Sequence, residues 1–359
     1  KVFKVSEEEH VFFFMAHHIV WDGWSFDLFY QEMATIYAAY VAGEVSPLAD
    51  LAVTYCDYAA WHRKWMDGDE CERQSSYWRA QLTEIGQVIP LPIDRLPAAQ
   101  SIGTGATKWV SVDTKRTSSL HALASRTGVT QFIVTLTLFG VLLYDYSRSR
   151  KLVIGTPVRG RPAPEFEVIM GYFNNLLVMP VEVDPEQSVV DLIGRVKASV
   201  VGGYAAADAS LENIASVTKG SSGHAAGLLY QALFSFQDGR QRPSEWGHLR
   251  HSMIPLFQSG VTEDIGMWFV ETPDGLEGGL TYNTDVLNEA TATWLVQRYG
   301  DLIDSVIETP SISVNALVGP PTEASAARLN YPGVSVRPVD ASLADRVLPE
   351  YVAPTNEVE

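Results

Sequence analysis

Phe12-Phe13-Phe14-Met15-Ala16-His17-His18-Ile19-Val20-Trp21-Asp22-Gly23-Trp24-Ser25 sets two adjacent imidazoles and a carboxylate at the end of an apolar run. An apolar stretch closed by a Gly-containing turn predicts a buried strand. Successive side chains of a strand point to opposite faces, so one histidine faces a shared cavity and the other packs into the body. Imidazole changes charge near neutral pH, which suits it to move a proton during acyl transfer. Asp22 can curl back to orient that ring, or hold the turn by pairing with a distant arginine. Gly23 removes a side chain where a substrate arm would have to pass.

Working outward, five more stretches share a pattern with the first: Tyr55-Cys56-Asp57-Tyr58-Ala59-Ala60-Trp61, Tyr77-Trp78-Arg79-Ala80-Gln81-Leu82, Val153 to Arg161 (VIGTPVRGR), Met170-Gly171-Tyr172-Phe173-Asn174-Asn175, and Tyr230 to Gln237 (YQALFSFQ). In order and spacing, with HHIVWDGWS, they resemble the nonribosomal peptide synthetase condensation domains of the chloramphenicol acetyltransferase-like superfamily. The resemblance runs from the start of the chain to about Asn330. It implies an α/β fold of two lobes forming a V-shaped pseudo-dimer, with the active site between them. That family carries a substantial segment ahead of the histidine signature, so the chain is expected to be incomplete at its front, with the Lys1–Val5 strand paired to that segment.

With 359 residues and 46% hydrophobic content the chain can bury a large core and exceeds the ~200 residues at which domains tend to divide. A net charge of −17, with no basic stripe, argues against nucleic acid, whose phosphates need clustered Lys and Arg. Cys56 and Cys71 lack metal-type spacing and read as reduced thiols of a cytoplasmic protein, Cys56 being a packing residue. Phe132 to Tyr144 is apolar but shorter than the ~20 residues that span a bilayer, and reads as a buried helix. Neither a membrane nor a metal is expected as a partner.

Helical spacing predicts helices over Phe26–Ala42, Val53–Trp65, Ser75–Glu84, Ser118–Thr127, Thr130–Tyr146, Val189–Tyr204 and Glu289–Glu308. Strands are expected at Lys1–Val5, Lys108–Val112, Lys151–Thr156, Leu176–Val183, Gln231–Phe236, Gly266–Glu271 and Gly278–Asn283. A proline-rich crossover from Ile89 to Pro97 marks a boundary, giving residues 1–97 as the remainder of the first lobe and 98–318 as the second. Residues 319–350 read as a linker, and 351–359 resemble the opening of a peptidyl carrier domain.

The resemblance implies that His18 sits at the midpoint of a substrate tunnel as base or positioning group, that His17 packs and hydrogen-bonds locally, and that Asp22 pairs with Arg161. Trp24, Ser25, Asn175, Ser235 and Gln237 would line the tunnel, and the backbone amides of Asp22 to Trp24 would serve a developing oxyanion. It also implies no cofactor of its own: substrates would arrive on the 4'-phosphopantetheine of donor and acceptor carrier domains, charged by an activating enzyme, with no adenylation domain fitting before the carrier-like tail. No P-loop is present. Ala206-Ala207-Asp208-Ala209-Ser210-Leu211-Glu212 departs from the family's HxDxPFE and keeps only Asp208 and Glu212. Three other readings share the signature or its fold: a coenzyme A-dependent acyltransferase, an epimerising or cyclising relative, and an inactive recruitment platform.

Overall fold

The computed structural model describes residues 1–85, 90–97, 103–218, 229–254, 256 and 260–320. The first part comprises strands β1 (Val2–Lys4) and β2 (His10–Phe12) and helices α1 (Gly23–Val41), α2 (Tyr55–Met66) and α3 (Asp69–Ile85). The second part begins with β3 (Gly105–Asp113), α4 (Thr114–Thr127), α5 (Gln131–Ser147), β4 (Lys151–Val158) and β5 (Asn175–Glu182). There follow α6 (Val189–Tyr204), α7 (Leu211–Thr218), β6 (Ala232–Asp238), the short pair β7 (Glu245–Trp246) and β8 (Leu249–Arg250), β9 (Ile265–Thr272) and β10 (Gly275–Asn283). Two helices, α8 (Glu289–Glu308) and α9 (Val314–Val318), close it.

A mixed six-stranded sheet in the order β3-β10-β9-β6-β4-β5 organises the second part. β6 runs parallel to both β4 and β9, and the outer pairs are antiparallel. β4 is apolar along most of its length because it lies inside the sheet with both faces covered. Helix α5 is buried at all but one position. Its Thr135 and Thr137 hydroxyls donate back to the carbonyls of Gln131 and Ile133 at 2.8 and 2.7 Å, which satisfies polar groups in an apolar setting. The expected buried helix is therefore present, and no single helix among the described residues is long and apolar enough to cross a membrane.

The expected strand over the Phe12–Phe14 run is not formed. Pairing stops at Phe12, and Phe12, Phe13 and Phe14 remain 44%, 37% and 38% exposed. A two-stranded ribbon offers no sheet to bury a face against, so Phe12 and Phe14 turn instead onto Phe29 of α1. The first part thus shows a two-stranded ribbon and three helices. Helix α1 starts at Gly23 rather than Phe26 because the Asp22 side chain caps it. Helix α3 starts at Asp69 rather than Ser75, with Asp69, Glu70 and Glu72 in its first turn, where acidic groups suit the helix dipole. Cys56 is exposed and does not pack; Cys71 is the buried thiol. The residue 319–350 linker, apart from Gly319 and Pro320, and the 351–359 carrier-like tail lie outside the described residues.

Trp78 of α3 is fully buried and its indole donates to the Ala206 carbonyl at 2.8 Å, tying the first part to the α6–α7 connection. Trp78→Phe keeps most of the apolar volume and strands that carbonyl. We expect a loss of about 1–3 kcal/mol, read as a lower urea midpoint at unchanged slope; an unmoved midpoint would show that the bond is dispensable.

Candidate active site

At the junction of the two parts, Asp22 and Arg161 form a pair whose side chains are both wholly buried. Arg161 Nη1 donates to Asp22 Oδ2 at 2.8 Å and Nη2 to Oδ1 at 3.2 Å. Two further guanidinium N–H groups go to the carbonyls of Phe166 and Ile169, and the cation lies 4.1 Å from the Phe173 ring centroid. Asp22 also accepts from the Ser25 amide at 2.8 Å, the Ser25 hydroxyl at 2.7 Å and the Phe173 amide at 3.1 Å. Burial alone would push the Asp22 carboxyl up; the hydrogen bonds from Arg161 and Ser25 and the guanidinium charge outweigh it and hold the carboxyl below its usual range. Of the two roles open to Asp22, the structure shows the pairing with arginine.

His18 opens a short 3-10 turn, His18–Val20, with His17 as its extended N-cap, and both are exposed, rather than one of them packed. His18 Nδ1 is 2.6 Å from the Trp21 carbonyl, which can only accept, so the neutral ring carries its proton on Nδ1 and leaves the Nε2 lone pair open. His17 Nδ1 accepts from the Ile19 amide at 3.1 Å, which assigns its proton to Nε2. Its local bond is present, and the expected packing is not. Tyr172, overlooked in the sequence, stands edge-on to His18 with ring centroids 5.3 Å apart.

Several expected tunnel residues do other work. Ser25 is wholly buried and accepts from the Gly171 amide at 2.9 Å, so it belongs to the Asp22 knot. Trp24 donates from its indole to the Glu167 carbonyl at 2.7 Å and lies under the Arg159 guanidinium at 4.0 Å. Asn175 donates to the carbonyls of Ala207 and Ala209 at 2.7 and 2.6 Å, a backbone brace rather than a cavity wall. Ser235 and Gln237 do share a face of β6, opposite to the buried Phe234. Gln237 reaches the signature: a β-carbon on Gly23 would lie 3.1 Å from its Cδ. The space above Gly23 is therefore filled by Gln237. Of the expected oxyanion amides of Asp22 to Trp24, those of Gly23 and Trp24 start the helix and have no intrahelical acceptor, and the amide that Asp22 caps is that of the next residue, Ser25.

A second cross-link went unforeseen. Arg242 donates through Nε to Asp27 on α1 at 2.5 Å and through Nη2 to Gln237 Oε1 at 3.1 Å. Burial pushes the Asp27 carboxyl up against the pull of Arg242. An acidic residue amid Phe26, Leu28 and Phe29 was the one signal for it. No group of His, Cys, Asp and Glu among the described residues is arranged to hold a metal.

Asp22→Asn and Arg161→Met should each cost about 3–5 kcal/mol, since each isolates a buried partner, and the double variant should cost less than the sum. Because the folded carboxyl is held below 3.8, its contribution is complete above that pH and is lost as pH falls through the depressed value. The stability gap between parent and Asp22→Asn should therefore close on acidification. Strict additivity in the cycle, or a gap independent of pH, would refute the pair's role.

Residues 1–327 match the family model described as Condensation domain. A linear gramicidin synthase polypeptide of Brevibacillus parabrevis is 35% identical over 316 residues, which span 87% of this chain and 4% of that synthase. Among solved structures, the X-domain from teicoplanin biosynthesis superposes with a TM-score of 0.72 at 24% identity, over 88% of this chain and 73% of that one. The first condensation domain of the calcium-dependent antibiotic synthetase superposes at 0.70 and 23% identity, over 83% and 65%. Both structural likenesses speak to the fold, and the family model speaks to the sequence that builds the Asp22–Arg161 junction: the chain belongs to the condensation-domain family.

Proposed function

We propose that this chain joins a carrier-bound acyl or peptidyl thioester to an acceptor nucleophile, forming an amide, or an ester where the acceptor is a hydroxyl. The carrying observation is the 2.6 Å approach of His18 Nδ1 to the Trp21 carbonyl, which assigns the proton to Nδ1 and leaves the Nε2 lone pair available. In the reaction the amine attacks the thioester carbon, the C–N bond forms, the C–S bond breaks, and one proton must pass from the nitrogen to the departing thiolate. His18 Nε2 accepts and returns that proton, or positions the amine by a hydrogen bond; a placed base contributes about 10²–10⁴-fold, and alignment of the reactants adds to it.

The matched relatives are synthases of which this chain spans a small part, which supports donor and acceptor carrier domains as partners and an activating enzyme acting in trans or elsewhere on the assembly. The 4'-phosphopantetheine arm belongs to those carriers and reaches this chain as part of the substrate. Residues 1–97 and 98–318 are proposed as the two lobes.

His18→Ala should fold as the parent does, since the ring is exposed, and should lower single-turnover product formation by about 10²-fold or more. His17→Ala removes a turn cap and should cost about 1 kcal/mol of stability with little effect on rate. Intact-mass analysis of one acylated and one aminoacylated carrier after mixing reads both. Product at the parental rate from the His18 variant would remove its role, and efficient transfer from free acyl-coenzyme A would replace the carrier-based reading.

A further inference from the structure

Gln237 lies flat across Gly23: a β-carbon there would be 3.1 Å from both its Cδ and its Nε2. Gly23 is two residues beyond Trp21, whose carbonyl holds His18. The carboxamide thus faces the same stretch of chain that fixes the imidazole. Its orientation is imposed. A guanidinium has donors and no acceptor, so Arg242 Nη2, 3.1 Å from Gln237 Oε1, keeps the amide oxygen toward the arginine. Arg242 is itself clamped by Asp27 at 2.5 Å and lies 5.8 Å from the Tyr30 ring centroid, with the two charged side chains only 14% and 17% exposed. The Gln237 amino group remains, and no described residue accepts from it.

Resting on the condensation reading above, we infer that Gln237 Nε2–H donates to the acyl carbonyl oxygen of the carrier-bound thioester, and that Arg242, held by Asp27, is the positioning residue that keeps this donor end presented. As the acceptor nitrogen bonds to carbon, the carbonyl electron pair moves onto that oxygen, and the hydrogen bond strengthens. The pair returns when the C–S bond breaks. Without Arg242 the amide is free to turn, and its oxygen then opposes the developing charge.

Gln237→Glu separates this from a structural role, because a carboxylate keeps Arg242 paired but has no proton to donate. It should retain the parental melting temperature and lower the single-turnover rate by about 10²-fold, the scale of one lost oxyanion donor. Arg242→Met should lower the rate with the acceptor KM unchanged, Arg242→Lys should restore part of it, and Arg242→Met combined with Gln237→Leu should be no slower than Gln237→Leu alone. A parental rate in Gln237→Glu, or multiplied losses in the double variant, would overturn the inference. A readout independent of turnover is the side-chain NH₂ resonance of Gln237 in ¹⁵N-glutamine-labelled full chain, titrated with the amide analogue of an acyl-pantetheine thioester. The resonance should shift in the parent and not in Arg242→Met. No shift in the parent would sink the donor role, whereas a shift without turnover of any carrier pair would sink the condensation reading alone.

Discussion

Placing the Asp22 carboxylate and the Arg161 guanidinium together out of water is the constraint on which the junction depends. Two buried charges are tolerable only when nearly every donor and acceptor is used. Here Arg161 spends its donors on Asp22 and two carbonyls, and Asp22 takes the Ser25 and Phe173 amides besides. The loop from Gly160 to Phe173 must therefore wrap closely, and two glycines allow it. A β-carbon on Gly160 would fall 2.2 Å from the Phe173 carbonyl oxygen, and one on Gly171 2.5 Å from Tyr55 Cδ2. The same wrapping seats Phe166, Ile169 and Phe173 as a small core apart from the main one.

The motifs around the signature acquire separate physical jobs. In the Tyr55–Trp61 stretch, Asp57 completes a capping box with Thr54, which starts α2 where it does. Tyr55 donates to the Tyr172 carbonyl, and Tyr58 packs on Phe166 and Phe173. The motif thus shores up the arginine loop from outside. The segment from Ala206 to Ala209 departs from the family pattern, yet its contacts are mostly made by backbone: Gln74, Trp78 and Asn175 reach its carbonyls and amides. Alanine there loses few of those bonds, since they do not depend on the side chains replaced.

Elements whose pattern answers to one environment were legible in the sequence. The α6 and α8 helices alternate buried and exposed faces along their whole length, and their ends were placed at the right residues. The Phe12–Phe14 run failed because apolarity says that cover is wanted without saying what supplies it. For Trp24, Ser25 and Asn175, nearness to a signature in sequence does not aim a side chain at a cavity: Trp24 and Asn175 are held by carbonyls that only the fold brings close, and Ser25 by the Asp22 carboxylate three residues before it. Arg161 was legible through resemblance alone. Arg242 and Asp27, separated by 215 positions, had one local signal, an acidic residue among apolar neighbours, and it names no partner.

The two histidines also differ in what taking up a proton would do to their surroundings. His18 already donates from Nδ1, so a proton arriving at Nε2 leaves that bond and the ring's orientation as they were. His17 uses Nδ1 as an acceptor for the Ile19 amide, and its proton enters where that hydrogen bond now lies. Charging His17 therefore means expelling the amide and loosening the turn, whereas His18 can cycle between charge states with no rearrangement of the chain around it. Of two neighbouring and chemically identical groups, the backbone has made one reversible without reorganisation and the other a structural fastener.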